Sequence, residues 1–182
     1  TTNGQVINSS PLVPRDREKV VLLKDDTLII TGGRSINAND ERRLTEVEAL
    51  SYRNGKLIVD ALPPLPFGNQ RHGYALVGLA DGRLMALGGD DSDWEGCMQC
   101  ASETFLLDIK AKKWSKGPNM LQARSNMSAT LLPDGKVLVI GGWSKERNGS
   151  GGYQIHDSTE IWDPVKNQFS SGSTLPSGVT QH

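Results

Sequence analysis

A short segment recurs three times along the chain, and it constrains the fold more than any other feature. Its copies read KDDTLIITGGR, ADGRLMALGGD and PDGKVLVIGGW, at residues 24–34, 80–90 and 133–143. Each copy begins with an Asp-containing turn, continues with apolar residues and ends with a Gly-Gly pair, which predicts a hairpin turn leading into a short β-strand. Three copies in one chain predict a molecule built from repeats of a single unit.

The positions around the Gly-Gly pairs repeat as well. An arginine stands 18 residues before the second glycine of every pair: Arg15 before Gly33, Arg71 before Gly89 and Arg124 before Gly142. The pairs follow one another after 56 and 53 residues, and glutamates open the next apolar stretch of each copy (Glu46 or Glu48, Glu103, Glu160). A period of about 50 residues made of short strands is typical of a β-propeller of the kelch type.

The pattern R…DGKVLVIGG…STEIWDP…F…LP resembles the kelch motif, and the resemblance extends over nearly the whole chain. It implies an all-β, kelch-type β-propeller in which each blade is a four-stranded antiparallel sheet. The residues themselves indicate strands A and B on either side of the Asp turn, strand C after the Glu, and strand D at Trp114 or Phe169. We expect both aromatic side chains to be buried between blades, and the three Gly-Gly pairs to end equivalent strands.

The repeat divides the chain into one outer strand of a preceding blade at 1–14 and three complete blades at 15–70, 71–123 and 124–182. Residues 3–10 parallel a strand D without strands A to C of its own. We therefore expect a segment of a larger propeller, with a homodimer of three plus three blades as the alternative. Gln5–Asn8 is then expected to pair with another polypeptide. Residues 39–50 also carry apolar residues at helical spacing, but the register favours a strand from Glu46 onward.

Composition narrows the classes of partner. The 182 residues have a formal net charge of -1, with 36% hydrophobic and 23% charged residues, which gives no basis for binding nucleic acid or an acidic membrane surface. No apolar run approaches the length of a membrane span. We expect a protein or an acidic peptide as partner, with a glycan as a further option. The remaining part of a split propeller, or a second copy of the chain, is expected as well, and no cofactor is predicted.

Propeller ligands usually contact the loops at one face. In the kelch arrangement the D–A and B–C loops gather there, and they carry the candidate ligand-binding residues Arg15, Arg71, His72, Trp94 and Arg124. The resemblance to kelch domains that capture acidic peptides implies that arginines at this position can face a binding pocket. Their recurrence in every blade favours an alternative, in which each Arg holds its loop by bonding main-chain carbonyls or a neighbouring acid.

Cys97 and Cys100 are the only cysteines. They make at most half of a zinc site, and the histidines do not stand at ligand spacing, so no metal site is predicted. The acidic run DDSDWE at residues 90–95 lacks the spaced glycine of a calcium loop. The two cysteines could form a small loop disulfide in an oxidising compartment or remain thiols in a reducing one. Three N-glycosylation sequons permit secretion without establishing it, so the sequence leaves the compartment open.

These observations favour a rigid binding or interaction scaffold without catalytic residues of its own. The alternative is the propeller portion of a carbohydrate-active or oxidase-type enzyme whose catalytic residues lie outside this segment. ARSNMSATLLPDGKVLVIGGW resembles a blade of galactose oxidase, a secreted copper enzyme with a kelch propeller. That family places a copper-binding Tyr two residues after the boundary Arg, cross-linked to a Cys in the preceding blade. The matching positions hold Asn126 and approximately Gly73, which disfavours that radical cofactor.

Overall fold

The computed structural model describes residues 13–37, 42–67, 71–91, 100–145 and 152–180. In these ranges the chain forms three four-stranded antiparallel sheets, each with its strands in sequence order, and two shorter ladders. In chain order the strands are β1 (Arg15–Asp16), β2 (Lys19–Leu22), β3 (Leu28–Thr31), β4 (Arg34–Ser35), β5 (Val47–Arg53), β6 (Lys56–Leu62), β7 (Ala75–Gly78), β8 (Leu84–Leu87), β9 (Thr104–Asp108), β10 (Lys113–Lys116), β11 (Ser128–Leu131), β12 (Val137–Ile140), β13 (Trp143–Lys145), β14 (Tyr153–Ile155), β15 (Thr159–Asp163) and β16 (Gln168–Ser171).

Strands A to D of the three blades are β2-β3-β5-β6, β7-β8-β9-β10 and β11-β12-β15-β16, and the shorter ladders pair β1 with β4 and β13 with β14. The prediction of an all-β fold made of four-stranded blades is confirmed. The sheets fall within the three predicted blade segments, whose boundaries stay a prediction.

The turn between strands A and B has the same chemistry in every blade. The carboxylates of Asp25, Asp81 and Asp134 each accept a hydrogen bond from the main-chain N–H two residues further on, at 3.2, 3.1 and 3.1 Å. This side-chain bond reproduces a main-chain turn, and the next residue in each turn adopts a positive φ. The Asp-containing turns of the sequence repeat therefore form three equivalent hairpins.

The Gly-Gly pairs end strand B at equivalent positions, directly after Thr31, Leu87 and Ile140. All six glycines have positive φ, between 61° and 96°. A Cβ on the second glycine would lie 2.6 Å from the carbonyl oxygen of His72 in the second blade and 2.7 Å from that of Ser125 in the third. The pairs are needed because the main chain turns in the left-handed region while it touches the D–A loop. The predicted equivalence of the three pairs is confirmed.

Two apolar cores lie between successive blades. The core between the first two blades includes Ile29, Val47, Leu62, Tyr74, Leu84 and Leu107. The core between the second and third includes Val77, Met85, Met127, Val139, Trp162 and Phe169. Strand β7 contacts both β2 and β11, so the A strands stand side by side along the inner edge. Because burying one large apolar side chain contributes about 1.5–3 kcal/mol, the contacts between blades supply much of the stability.

The two strand-D aromatic residues lie at these cores. Phe169 is buried opposite Trp162 in the ladder between β15 and β16. Trp114 is half-buried, and its Nε1 donates to the carbonyl oxygen of Pro63 in the preceding blade at 3.0 Å. The predicted burial is thus confirmed for Phe169 and partial for Trp114, whose indole reaches across to the preceding blade.

Other sequence predictions concern the B–C loop of the first blade and the two ends of the chain. Strand β5 begins at Val47, one residue after the start predicted at Glu46, which confirms a strand in the second part of the segment with helical spacing. The strand predicted at residues 3–10, including Gln5–Asn8, lies outside the described residues and stays a prediction. Near the other end, Gly142 N–H donates to the carbonyl oxygen of Val179 at 2.8 Å, as Gly89 N–H donates to that of Arg124 at 2.9 Å. Val179 therefore stands where the repeat elsewhere has its boundary arginine.

Candidate functional site

The D–A loops meet the B–C loops at one end of the sheets, which we call the loop face. In each blade the residue after the boundary Arg pairs with the residue after the Gly-Gly pair: Asp16 with Arg34, His72 with Asp90, and Ser125 with Trp143. The repeat thereby places Arg15, Arg71 and Arg124 at equivalent junctions, one in each blade. Differences in the hydrogen-bond partners of the three arginines therefore show how the blades differ at this junction.

Arg124 links the loops of the third blade. Its guanidinium donates to Glu160 Oε1 at 3.1 Å and to the carbonyl oxygens of Gly141 and Ser158 at 2.7 and 3.0 Å. Further bonds to Gln122 Oε1 and Ser158 Oγ, at 3.1 and 2.8 Å, use its remaining N–H groups. Since the side chain is fully buried and every donor is occupied, the geometry fits the structural alternative for this arginine.

Arg15 makes the same kind of link in the first blade. Its Nη1 donates to the carbonyl oxygens of Gly32 and Glu46, at 3.0 and 3.2 Å, and its Nη2 pairs with the carboxylate of Glu48. Nε donates to the carbonyl oxygen of Val13 at 3.1 Å. Arg15 and Arg124 therefore share one arrangement, in which Nη1 bonds two main-chain carbonyls and a buried glutamate of strand C takes the charge.

Arg71 departs from this arrangement. Its Nε and Nη2 donate to the two carboxylate oxygens of Asp91 at 3.0 and 3.4 Å, and Nη2 also donates to Glu103 Oε2 at 3.1 Å. The guanidinium lies over the ring of Phe67, 5.0 Å from its centroid. Nη1 is buried and has no hydrogen-bond partner among the described residues. The nitrogen that anchors the other two arginines to the main chain is thus unpaired in Arg71.

The strand register explains the departure. Ile30 of β3 stands opposite Glu48, and Val139 of β12 stands opposite Glu160, but the equivalent Ala86 of β8 stands opposite Phe105. The second blade therefore has a phenylalanine where the others have the buried glutamate. Glu103, which the sequence repeat aligned with Glu160, lies two residues earlier, because the B–C loops differ in length.

The charge of Arg71 is compensated by carboxylates that are partly exposed, whereas Arg15 and Arg124 pair with buried glutamates. Burial would raise the pKa of the Glu103 carboxyl, but hydrogen bonds and charge from Arg71, and then from Lys116, outweigh it and hold the pKa below its usual range. Lys116 Nζ lies 3.4 Å from Glu103 Oε1. Asp91 and Glu103 remain partly exposed, at 43% and 36% of their side-chain surface, whereas the Arg71 side chain is 8% exposed. A nearly buried cation is therefore covered by two carboxylates that water reaches.

His72 joins the loops of successive blades. Its Nε2 lies 3.3 Å from Asp90 Oδ1, and Asp90 Oδ2 accepts a hydrogen bond from Ser125 Oγ at 2.5 Å. On the other side Nδ1 contacts Nη1 of Arg43, which lies in the B–C loop of the first blade. Arg43, His72, Asp90 and Ser125 thus form a polar chain across all three blades. Sequence reasoning named His72 alone, because the chain depends on residues that come together only through blade packing.

His156 is a buried residue of the B–C connection of the third blade. Burial lowers the pKa of its imidazole, and the nearby charge of Arg124 lowers it further. Its Nε2 lies 3.0 Å from Ser144 Oγ. The folded chain therefore favours the neutral imidazole at this position, which suits a packing residue.

The other sequence-predicted site residues have different outcomes. Trp94 and Cys97 lie outside the described residues, so their predicted roles stay predictions. Cys100 Sγ lies 3.5 Å from the carbonyl oxygen of Trp143, and no cysteine in the described ranges carries a free thiol. Within those same ranges, no three His, Cys, Asp or Glu side chains are grouped to hold a metal ion. Likewise, none of the described residues belongs to a helix that could span a membrane.

A groove of about 640 Å³ lies at the opposite end of the sheets from the arginines. Apolar side chains of strands A line it, among them Val21, Leu76 and Leu131, together with Lys24 and Ile109 from the turns. It follows the inner edge of the three blades. The groove is therefore separate from the loop face and does not bring the predicted site residues together.

Comparisons with known proteins agree with this architecture. A family model described as the Kelch motif matches residues 124–176. An F-box/kelch-repeat protein of Arabidopsis thaliana is 31% identical over 118 residues, which are 60% of this chain and 42% of the relative. Galactose oxidase of Gibberella zeae is 31% identical over 88 residues, which are 48% of this chain and 12% of the enzyme. The chain thus spans less than half the length of these relatives.

A solved structure shares the fold. The structure of YjhT superposes with a TM-score of 0.71 at 18% sequence identity, over 93% of this chain and 54% of that one. Three four-stranded antiparallel sheets packed side by side through their A strands define a chain of the β-propeller class. With the Gly-Gly repeat and the motif matched at residues 124–176, the chain is similar to kelch-repeat proteins. Kelch-repeat proteins generally act as scaffolds for protein interactions.

Proposed function

We propose that the loop face of this chain is a scaffold that holds a protein partner, with Arg71 as the anchor and His72 beside it, and with Trp94 as a further candidate named from the sequence. One observation carries the proposal: Arg15 and Arg124 donate to main-chain carbonyls, whereas Arg71 has no such bond within the described residues. Arg15 and Arg124 have structural partners for their guanidinium groups. The boundary arginine has a structural role in the first and third blades. In the second blade the same position lacks that role, which makes it a good candidate for recognition.

The chemistry at this position suits a polar segment of a protein. A guanidinium presents a planar fork that matches carboxylates and carbonyls. His72 adds a half-exposed imidazole next to it. The ring of Phe67 under the guanidinium keeps the fork in one orientation, which lowers the entropy lost on binding. An acidic peptide is the proposed ligand, with a glycan as a further option through loop aromatic residues.

Peptides selected by display on the full chain would test this role. Replacing Arg71 with alanine is expected to weaken the selected peptides about tenfold or more, because a charged hydrogen-bonding anchor contributes about 1.5–3 kcal/mol. Arg83→Ala is the matched control, since Arg83 belongs to the same blade but pairs with Asp81 at the opposite end. Equal losses in both variants, or no loss in Arg71→Ala, would assign the binding surface elsewhere.

We also propose a second partner at the flank of the first blade, either further propeller blades or another copy of the chain. Val20 and Leu22 of β2 are exposed there, whereas the equivalent Leu76 and Gly78 of β7 are partly buried. Native mass spectrometry of the isolated chain is expected to show association. A stable monomer at micromolar concentration that also fails to bind the apolar dye ANS would contradict the proposal.

The enzyme alternative rests on the galactose oxidase relative. At the positions matching that family's copper tyrosine and its cross-linked cysteine, Asn126 N–H donates to the carbonyl oxygen of Gly73 at 2.7 Å. Neither residue offers a phenol or a thiol. The site chemistry therefore favours the scaffold, and an enzyme would need catalytic residues from outside this chain.

A further inference from the structure

We propose that Arg71 is a carboxylate-exchange site, in which an acidic side chain of the bound partner replaces Asp91 on the guanidinium. This rests on the proposed function, because it names the chemistry of the group that the loop face takes. Asp91 is then a stand-in for the ligand, built into the second blade and released when the partner arrives.

On the side that faces the blade, the Arg71 guanidinium lacks, within the described ranges, the hydrogen bonds that hold the other two boundary arginines. In Arg15 and Arg124, Nη1 holds two carbonyl oxygens and a strand-C glutamate holds the other edge. In Arg71 the same nitrogen has no partner in the described part of the chain, and Phe105 replaces the glutamate. Among the described residues, the hydrogen-bond partners of the Arg71 guanidinium are two partly exposed carboxylates, so a change in those carboxylates alters the hydrogen bonding of Arg71 directly.

The outer side of Arg71 already shows what it binds. Asp91 takes Nε and Nη2 with its two oxygens, which is the fork geometry that a guanidinium offers to any carboxylate. Asp91 is 43% exposed, so an incoming carboxylate can approach along the same edge. The ring of Phe67 stacks on the face of the guanidinium and leaves that edge open.

Asp91, and not Glu103, is the group that leaves. Glu103 also pairs with Lys116, so a second cation holds it in place. Arg71 is the one ion-pair partner that Asp91 has among the described residues. Exchanging one carboxylate for another keeps the charge of the nearly buried Arg71 compensated, whereas a neutral ligand would leave it with Glu103 alone. The site therefore selects an acidic side chain over its amide.

NMR of the arginine Nε–H groups of the full chain tests the exchange. The probe is the capped peptide acetyl-Gly-Glu-Gly-amide, with acetyl-Gly-Gln-Gly-amide as its neutral control, and the Arg71 signal is assigned by its loss in Arg71→Lys. In Asp91→Asn the acidic probe is expected to shift the Arg71 signal at about tenfold lower concentration than in the unaltered chain. Asp81→Asn, which removes an equal charge at the other end of the same blade, is expected to match the unaltered chain.

Phe105→Glu supplies the missing inner partner and is expected to abolish the shift while the sheets remain folded. Equal shifts with the acidic and neutral peptides, or no response of Arg71 in Asp91→Asn, would overturn the exchange. If displayed peptides bind the loop face but the Arg71 Nε–H signal does not shift, the scaffold proposal is supported and the exchange proposal is wrong. If the acidic probe shifts the Arg71 Nε–H signal but display yields no binding peptide, carboxylate exchange at Arg71 is supported and the scaffold proposal is wrong.

Discussion

Arg124→Ala is expected to lower the free energy of unfolding by about 3–5 kcal/mol, because it breaks a buried ion pair from one side. Arg124 and Glu160 are both buried, and Glu160 also caps two N–H groups of the preceding D–A loop at 2.7 and 3.0 Å. Without the guanidinium, the Glu160 charge and the carbonyl oxygens of Gly141 and Ser158 lose their donors. Urea unfolding with an unchanged slope would measure the loss.

Arg71→Ala is the matched comparison, since it removes the same side chain at the equivalent place in the second blade. A clearly smaller loss is expected, because Asp91 and Glu103 are partly exposed and return to water when the guanidinium is gone. Equal losses in the two variants would show that Arg71 also holds its blade together. That result would count against its assignment to ligand binding.

Gly89→Ala is expected to destabilise the chain by about 2–5 kcal/mol, since it combines left-handed strain with a clash. Gly89 has φ 96°, and an added Cβ would lie 2.6 Å from the carbonyl oxygen of His72 and 2.9 Å from Cγ of Arg71. The first of these neighbours is main chain, which cannot move without shifting the D–A loop. Thermal unfolding followed by circular dichroism measures the effect.

Gly82→Ala separates the two causes. Gly82 lies in the A–B turn of the same blade with φ 87°, and no atom lies within 4 Å of an added Cβ. Only the left-handed strain remains there, so a loss of about 1–2 kcal/mol is expected. Similar losses at the two positions would mean that close approach to the D–A loop contributes little, and that the Gly-Gly signature reflects backbone conformation alone.

The blades could be predicted from the sequence because their signals are local and repeated. The turn at Asp134-Gly135 and the pair at Gly141-Gly142 set the two ends of one strand, and three copies fixed the register of strands A and B. Strand C was aligned less well, since the B–C loops that precede it differ in length. Aligning the glutamates that open the next apolar stretch matched Glu103 with Glu160, while the ladder places Phe105 there.

The site was harder to predict because it depends on that register and on side-chain direction. All three boundary arginines looked equivalent in sequence. Their roles separate only when the partner on strand C is known: a glutamate for Arg15 and Arg124, a phenylalanine for Arg71. Asp91 was visible as part of an acidic loop, but its distance of 3.0 Å from Arg71 follows from how the loop folds back.

The Arg–Glu links of the first and third blades also bear on how far the blades depend on one another. Arg15 and Arg124 each take two main-chain carbonyls and one glutamate from their own blade. The second blade has Phe105 at the position of this glutamate, and the links of the first and third blades form without it. Because the Arg–Glu link is repeated, a blade that lacks it can use its arginine for another contact while the links in the other blades still stabilise the fold.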